Sequence, residues 1–421
     1  MTGIKGETYM TREEFVRKYA VERKETNCLK WDLLKERFGD PDLLPMWVAD
    51  MEFHTCEAIT DALKERLDQG VFGYSYIPDS YYQVLFDWEE RHFGYRPKKE
   101  ELRLATGVVP ALYWFVNCYT EPGDAVMMLT PVYYPFHSAV TDCKRRLVTC
   151  DMNDEAGHFT VDFEKFEKLA KEQQVKLFLL CSPHNPAGRV WKEEELERMF
   201  SICEKYDILV VSDEIHQDFT FGGQKHIAAP AVAGGKYKDR IVLVNAASKS
   251  FNLAALLHSN ILIPSPELRK RYDAYRTQHN QTDINLLGLI ATEAAYTKGE
   301  EWLESLKSVI SANYTYVKEE LVQHAPEITV CDMEGTYLPM LDLRKVVDVE
   351  TDTKTRKVNF RPVSERLCEF VQDRCRLAVD YGAWFGKNFD GFIRLNLATT
   401  PENVKQAVDN LIRETRVERA K

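Results

Sequence analysis

Residues 175–216, VKLFLLCSPHNPAGRVWKEEELERMFSICEKYDILVVSDEIH, contain the pattern that decides the fold. The segment opens with an apolar run, Val175–Cys181, and closes with a second one, Ile208–Val211. Such short apolar runs are typical of strands that are buried on both faces of a sheet. The residues between them, 192–206, carry apolar side chains at helical spacing, as expected of a crossover helix joining parallel strands. The segment therefore predicts an α/β fold.

The same alternation continues on both sides of this segment, with further apolar runs at Ala125–Leu129, Ile241–Val244 and Ile261–Ile263. It predicts a large domain, residues 53–292, with a mainly parallel sheet between helices. After about residue 290 the pattern changes to a long helix, short strand-like pieces and a closing amphipathic helix. We expect a smaller α+β domain over residues 293–421, joined by the N-terminal segment 1–52. The charged stretch 348–357 is interpreted as an exposed loop or hairpin.

The composition excludes several classes of partner. The 421-residue chain has a formal net charge of -11 and a pI of about 5.5. Because an acidic protein repels phosphate backbones and anionic lipids, we expect neither nucleic acid nor a membrane as a partner. The polar start lacks the apolar core of a secretory signal, and no apolar run reaches the roughly 18 residues of a spanning helix.

The ten cysteines are scattered, with no Cys-x-x-Cys pair and no accompanying histidine cluster. We therefore expect no metal site. A chain of this length does not need disulfides, and free buried thiols are typical of a reducing compartment. The sequence predicts a cytoplasmic protein.

Three of the predicted strands end in polar residues suited to chemistry. Asn185 lies in SPHNPAGR after the first run, Asp213 in SDEIH after the second, and Lys249 in AASKS after a third. Because ligands of open α/β sheets bind at the carboxyl ends of the strands, we expect these side chains to converge.

A converging lysine, aspartate and asparagine meet the needs of a pyridoxal 5'-phosphate (PLP) site. The lysine forms an imine with the cofactor aldehyde, and the carboxylate keeps the pyridine nitrogen protonated so that the ring acts as an electron sink. The asparagine can donate to the ring oxygen. For the phosphate, Thr106–Ala111 precedes an apolar segment and offers backbone N–H groups at a helix start, with the Ser248 hydroxyl nearby.

At this point the sequence resembles fold-type I PLP enzymes, and among them the aminotransferase-like carbon–sulfur lyases of the cystathionine β-lyase and cystalysin type. The resemblance covers nearly the whole chain. It rests on motifs in a fixed order: Trp47–Met51, Gly73-Tyr74, Gly107–Pro110, Pro131–Phe136, Ser182–Gly188, Ser212–His216, Ser248–Asn252, Glu334–Leu338 and Arg394–Asn396. It implies a seven-stranded, mainly parallel sheet in the large domain.

The resemblance also implies a role for each matching residue. Lys249 would hold the cofactor and then move the substrate Cα proton, Asp213 would pair with the ring nitrogen and Asn185 with the ring oxygen. The remaining cofactor contacts would be the ring of Tyr133, the backbone N–H groups of Val108 and Val109, the hydroxyl of Ser248, the neighbouring His216 and, from the other subunit, Tyr74. Tyr74 thus implies a homodimer with shared active sites.

Two residues would act on the amino-acid substrate. Arg394 would bind its carboxylate, a task that suits the bidentate guanidinium. Tyr134 would assist the leaving group or orient the substrate, so Lys249, Tyr133 and Tyr134 form the expected catalytic set.

The sequence departs from the wider fold-type I pattern at three positions. Leu257 stands where many of these enzymes have a phosphate-binding arginine, and His216 stands where a tyrosine is common. Both differences favour the lyase branch over typical aspartate aminotransferases. Ala255 replaces a glycine that is common in the related lyases, which leaves the local packing open.

The predicted reaction is α,β-elimination on cystathionine, cystine, cysteine or a related S-substituted cysteine, giving a thiol, pyruvate and ammonia. The first alternative is a class I/II aminotransferase, which uses the same groups but reprotonates the cofactor. The second is a PLP-containing regulatory protein with incidental lyase activity. The chain carries neither a Gly-x-Gly-x-x-Gly motif nor a P-loop lysine, which disfavours dinucleotide and nucleotide enzymes.

Overall fold

The computed structural model describes residues 10–420. The first nine residues of the predicted N-terminal segment, and Lys421, lie outside the described residues. The strands, in chain order, are β1 Leu44–Pro45, β2 Leu102–Ala105, β3 Ala125–Thr130, β4 Arg146–Asp151, β5 Asn153–Glu155, β6 His158–Thr160, β7 Val175–Cys181, β8 Leu209–Asp213, β9 Ile241–Asn245, β10 Ser259–Leu262, β11 Thr329–Val330, β12 Met340–Asp342, β13 Thr355–Val358, β14 Arg361–Ser364, β15 Leu377–Ala378, β16 Asp380–Tyr381 and β17 Phe392–Arg394.

The α-helices alternate with these strands. They are α1 Arg12–Tyr19, α2 Leu29–Asp32, α3 Leu34–Phe38, α4 Glu57–Gln69, α5 Asp79–Phe93, α6 Val108–Tyr119, α7 Pro135–Thr141, α8 Phe163–Glu172, α9 Glu193–Lys205, α10 Val232–Gly235, α11 Ala247–Ser250, α12 Pro266–Gln278, α13 Leu286–Lys298, α14 Glu300–His324, α15 Glu365–Cys368 and α16 Pro401–Arg419. The predicted crossover helix is α9, and the predicted long and closing helices are α14 and α16.

The large sheet confirms the predicted α/β class. Within residues 10–420 it has seven strands in the order β2-β10-β9-β8-β7-β3-β4, and β10 alone runs antiparallel to its neighbours. Successive side chains of β7 enter different apolar clusters, Leu177 and Leu179 on one face and Phe178 and Leu180 on the other. Because helices cover both faces, the strand is apolar along almost its whole length.

The C-terminal part combines helices with an antiparallel sheet, as expected of an α+β domain. A sheet in the order β11-β12-β17-β16, antiparallel throughout, packs with α14 and α16. Strand β1 pairs in parallel with β15, and α1 packs against α14, so the described part of the N-terminal segment contacts this unit. The boundaries at residues 52 and 292 stay a prediction.

The stretch predicted as an exposed loop or hairpin leads into β13 and β14, which pair as an antiparallel hairpin. Residues 348–357 are mostly exposed. No helix between residues 10 and 420 combines the length and apolar character needed to cross a bilayer.

Candidate active site

A cavity of about 220 Å³ lies at the carboxyl ends of the central strands. Asp213 is the last residue of β8, Asn185 lies in the loop after β7, and Lys249 lies in α11 just after β9. All three side chains line the cavity, because β7, β8 and β9 are parallel neighbours whose ends meet. The structure thus brings together the three residues that the sequence predicts to converge.

The Lys249 amine is held by a backbone oxygen at the edge of this cavity. Its Nζ donates a hydrogen bond of 2.7 Å to the carbonyl oxygen of Ala49. Burial lowers the pKa of Lys249 to about 8, although the Asp50 carboxylate acts in the opposite direction. A lysine with a pKa near neutrality is partly present as the free amine, the form that attacks a carbonyl carbon.

Asp213 is a buried carboxyl group with no ion pair among residues 10–420. Its Oδ1 accepts a hydrogen bond of 3.1 Å from the Ile215 N–H. Burial raises the pKa of Asp213 to about 7, since the charged form is poorly solvated there. A ligand that places a protonated ring nitrogen next to this carboxylate would supply the missing positive charge.

The start of α6 forms the opposite wall of the cavity. The helix begins after Gly107, which has a φ of 152° and provides no side-chain cap. The backbone N–H groups of Val108 and Val109 belong to the first turn and have no acceptor within the helix. Both residues line the cavity, as does Ser248 from α11. Uncapped N–H groups at a helix start are a ready site for a phosphate.

Tyr133 and His216 contribute aromatic rings to the lining. Tyr133 lines the cavity with its ring centroid 4.9 Å from that of Tyr134. Burial raises the pKa of both phenols, so both remain protonated hydrogen-bond donors at neutral pH.

Burial lowers the pKa of His216, so its ring is neutral. The Nδ1 atom of His216 has no hydrogen-bond partner in the described part of the chain. His216 is therefore placed as a cavity neighbour rather than as a charged group.

These groups fit PLP as a set. The cavity offers a poised amine for the aldehyde, an unpaired carboxyl group for the ring nitrogen and a helix start for the phosphate. The Nδ2 of Asn185 makes no hydrogen bond with residues 10–420 and is available to a ring oxygen, because only its Oδ1 is engaged.

A second cavity, of about 530 Å³, opens from the first and shares Ala49, Tyr133 and Lys249 with it. Arg394 lines this cavity from the end of β17. Its Nη1 donates to Asn185 Oδ1 at 2.9 Å, and its Nη2 is paired with the buried carboxylate of Asp380. The guanidinium is thus oriented beside the reactive lysine, where it can bind a carboxylate. Tyr134 lines the same cavity.

Two positions discussed in the sequence analysis, Tyr74 and Leu257, provide no polar contact in the cofactor cavity of this chain. Tyr74 is fully exposed in the segment 70–78 and does not line the cavity of its own chain. Leu257 lines the cavity with an apolar side chain, so the phosphate-binding arginine of other fold-type I enzymes has no counterpart at that position. The role predicted for Tyr74 in the neighbouring subunit stays a prediction.

The sequence interpretation missed the loop that holds Lys249. The Ala49 carbonyl accepts from both Lys249 and the Tyr337 hydroxyl, the latter at 3.0 Å. Val48 has a φ of 54°, which is unusual for a β-branched residue, and Asn396 Nδ2 donates to the carbonyl oxygens of Val48 and Asp50, both at 2.6 Å. Each of these residues lies in a motif that carries the family resemblance, so the motifs were the available signal.

The class I and II aminotransferase family matches residues 42–411. Cystathionine beta-lyase PatB of Bacillus subtilis (strain 168) is 34% identical over 389 residues, which is 91% of this chain and 97% of that protein.

Two solved structures of PLP-containing proteins are also similar to this chain. Cystalysin from Treponema denticola, described as containing a pyridoxal 5'-phosphate cofactor, has a TM-score of 0.87 and 32% identity, over 94% of this chain and 98% of its own. The PLP-bound C-S lyase from Staphylococcus hominis has a TM-score of 0.85 and 30% identity, over 94% of this chain and 96% of its own.

Proposed function

The chain belongs to the class I and II aminotransferase family, and we propose that within it the protein is a PLP-dependent carbon–sulfur β-lyase acting on S-substituted cysteines. The observation that carries the proposal is the single cavity in which Lys249, Asp213, Asn185 and the start of α6 meet. The relatives named as lyases, which match over nearly the whole chain, support the choice of elimination over transamination.

We assign the following roles to the residues that line the two cavities. When bound, PLP supplies an electron sink for the charge that develops at the substrate Cα. Lys249 would hold the cofactor covalently, and its Nζ, once released, would take the Cα proton, a task that suits a buried amine with a lowered pKa. Asp213 would stabilise a positive ring nitrogen. Arg394 would hold the substrate carboxylate and so orient the substrate Cα towards Lys249.

We assign different tasks to the two adjacent tyrosines. Tyr133 would pack against the ring, and Tyr134, whose phenol remains protonated, would donate a proton to the departing sulfur. The balanced reaction converts an S-substituted cysteine and water into a thiol, pyruvate and ammonia. The elimination needs no oxidant and no second amino-group acceptor.

We further propose that the protein is a cytoplasmic homodimer with shared active sites. The exposed segment 70–78 carries Val71, Phe72, Tyr74 and Tyr76 on the surface of the isolated chain, which is typical of an interface. All ten cysteines of the sequence are free and buried, as suits a reducing compartment.

A product assay tests the function. PLP-loaded protein is given L-cystathionine or L-cystine without a 2-oxo acid, and pyruvate, ammonia and free thiol are followed together. We expect all three in the wild type and none in Lys249→Ala, which should also lose the visible absorbance of bound PLP. Turnover that appears only after a 2-oxo acid is added would assign the protein to the aminotransferases instead.

A further inference from the structure

One arginine at the larger cavity stands out because it has no acidic partner. Arg361 is the first residue of β14 and lines the cavity together with Arg394 and Lys249. Its guanidinium carbon lies 3.9 Å from the centroid of the Tyr134 ring and 5.6 Å from that of Trp384. No ion pair joins Arg361 to any of residues 10–420, whereas Arg394 is paired with Asp380.

The hairpin turn that precedes Arg361 has a strained backbone, and contacts with Arg37 hold it in place. Asn359 and Phe360 form the two-residue turn between the paired residues Val358 and Arg361, with φ values of 45° and 65°. Phenylalanine is unusual at such a position, where glycine is preferred. The Asn359 N–H donates to the Arg37 carbonyl oxygen at 2.7 Å, and the Arg37 guanidinium carbon lies 4.5 Å from the centroid of the Phe360 ring.

The anchoring fixes where the positive charge of Arg361 lies. Arg37, Asn359 and Phe360 all line the cavity, so the hairpin turn forms its wall next to the N-terminal helix α3. Apart from Lys249, which the cofactor would occupy, the charged side chains lining this cavity are three arginines and one carboxylate, that of Asp380. A cavity with that balance favours an occupant with more than one negative group.

We propose that Arg361 binds a carboxylate at the far end of the sulfur substituent, so that the preferred substrates are S-substituted cysteines whose leaving thiol carries a carboxylate. The inference rests on the proposed lyase function and defines its substrate class. Arg394 takes the α-carboxylate beside Lys249, and Arg361 takes the distal one beyond Tyr134. Because the guanidinium lies over an aromatic face, its N–H edge stays free for a bidentate contact.

The test compares two substrates of equal size. S-(3-carboxypropyl)-L-cysteine carries the distal carboxylate, and S-(3-carbamoylpropyl)-L-cysteine replaces it with a neutral amide. We expect the wild-type holoenzyme to prefer the acid by about tenfold or more in kcat/KM, as a charge-assisted contact provides. In Arg361→Gln the preference should fall by about tenfold, mainly through KM of the acid. Arg361→Lys should restore part of it.

Arg356→Gln is the matched control, because Arg356 lies in β13 of the same hairpin, pairs with Asp373 and does not line the cavity. We expect this variant to keep the wild-type preference. A wild-type preference near one, or an equal loss in Arg356→Gln and Arg361→Gln, would overturn the role of Arg361. Absence of pyruvate from both substrates, with turnover of L-cystathionine or L-cystine, would overturn the proposed substrate class. Absence of pyruvate from all four would overturn the lyase function itself.

A binding measurement separates recognition from turnover. Octanedioate spans the same number of chain atoms as the two carboxylates of the acid substrate, and octanoate lacks the distal one. Calorimetric titration of the holoenzyme should give tighter binding of octanedioate, and the difference should disappear in Arg361→Gln. Equal affinity of the two ligands in the wild type would contradict the proposal.

Discussion

Asp213 combines two conflicting requirements in one side chain. A buried carboxyl group without an ion pair destabilises the protein when it ionises, yet the proposed chemistry needs its charge. The cofactor resolves the conflict, since a protonated ring nitrogen would pair with the carboxylate. The consequence is that cofactor-free protein should lose stability as this group becomes charged.

The first prediction concerns the pH dependence of that loss. Burial raises the pKa of Asp213 from 3.8 to about 7, so the folded state holds this proton more tightly than the unfolded state. The contribution of the protonated Asp213 to the stability of the folded state is therefore fully present below pH 3.8 and is lost as the pH rises through 7. Asn cannot ionise. Cofactor-free Asp213→Asn should therefore melt higher than cofactor-free wild type at pH 8, and the difference should shrink towards pH 4.

Thermal melts of both proteins across this pH range measure the effect, with the exposed Asp68→Asn as the control. A difference in melting temperature that is independent of pH would mean that Asp213 does not titrate in this window. In the PLP-loaded protein the sign should reverse, because Asn cannot supply the charge that the ring nitrogen requires.

At the residue scale, the sequence predicts the side chains that follow buried strands and misses those that do not. Lys249, Asp213 and Asn185 could be found because each ends an apolar run in a motif. Arg361 follows a hairpin turn after a charged stretch, and Asp380 lies in a two-residue strand. Only the packing of the C-terminal part against α3 and the large sheet places them at the cavity.

At the element scale, the interior strands of the large sheet could be predicted, but their directions could not. An apolar run shows burial on both faces and is the same for either direction, so the antiparallel β10 could not be recognised. One of the strand-like pieces predicted after residue 290 covers residues 336–343, and the structure forms only β12 there. Tyr337 and Pro339 still accept hydrogen bonds from Leu397 and Leu395, but Pro339 has no N–H to donate, which interrupts the ladder.

The second prediction belongs to the start of α6. Gly107 has a φ of 152°, a backbone conformation that residues with a Cβ rarely adopt, although a Cβ here would make only an ordinary contact of 3.4 Å with Pro110 Cδ. Gly107→Ala should therefore shift the first turn and misplace the Val108 and Val109 N–H groups. Because contacts to a charged group contribute about 1.5–3 kcal/mol each, we expect the dissociation constant for PLP to rise about tenfold or more. Absorbance titration of the cofactor measures it.

Gly94→Ala provides the comparison for this prediction. Gly94 also has a positive φ, of 75°, but it ends α5 away from the cavity, and a Cβ there meets nothing within 4 Å. Both variants should lose stability through backbone strain, while only Gly107→Ala should weaken PLP binding. Equal cofactor affinity in the two variants would show that the phosphate is not held at this helix start.

At the scale of the whole molecule, one predicted cofactor ligand does not line the cavity of its own chain. Tyr74 is fully exposed, within a segment whose neighbours Phe72 and Tyr76 are also exposed. Three large aromatic side chains within five residues would be costly to leave in water, and a second subunit would cover them. If Tyr74 completes the cofactor site of the other subunit, the protein must be a dimer. A subunit-mixing experiment therefore tests both the dimer and the role of Tyr74.

The third prediction is that activity returns when two inactive proteins exchange subunits. Lys249→Ala lacks the reactive amine, and Tyr74→Ala lacks the proposed contribution to the partner's cavity. In a mixed dimer, the site built on the Tyr74→Ala chain has its own Lys249 and receives Tyr74 from the other subunit. Equal mixing with free exchange should therefore restore about a quarter of the wild-type activity, since about half of the dimers are mixed and each has one intact site.

Mixing Lys249→Ala with Asp213→Asn is the control, because both residues line the cavity of one chain and every mixed dimer then has a defect in each site. This pair should stay inactive. If the Tyr74→Ala mixture also stays inactive while light scattering shows dimers, Tyr74 does not act across the interface. If the protein is monomeric at assay concentration and Tyr74→Ala alone is fully active, the shared site is excluded and the exposed aromatic segment needs another partner.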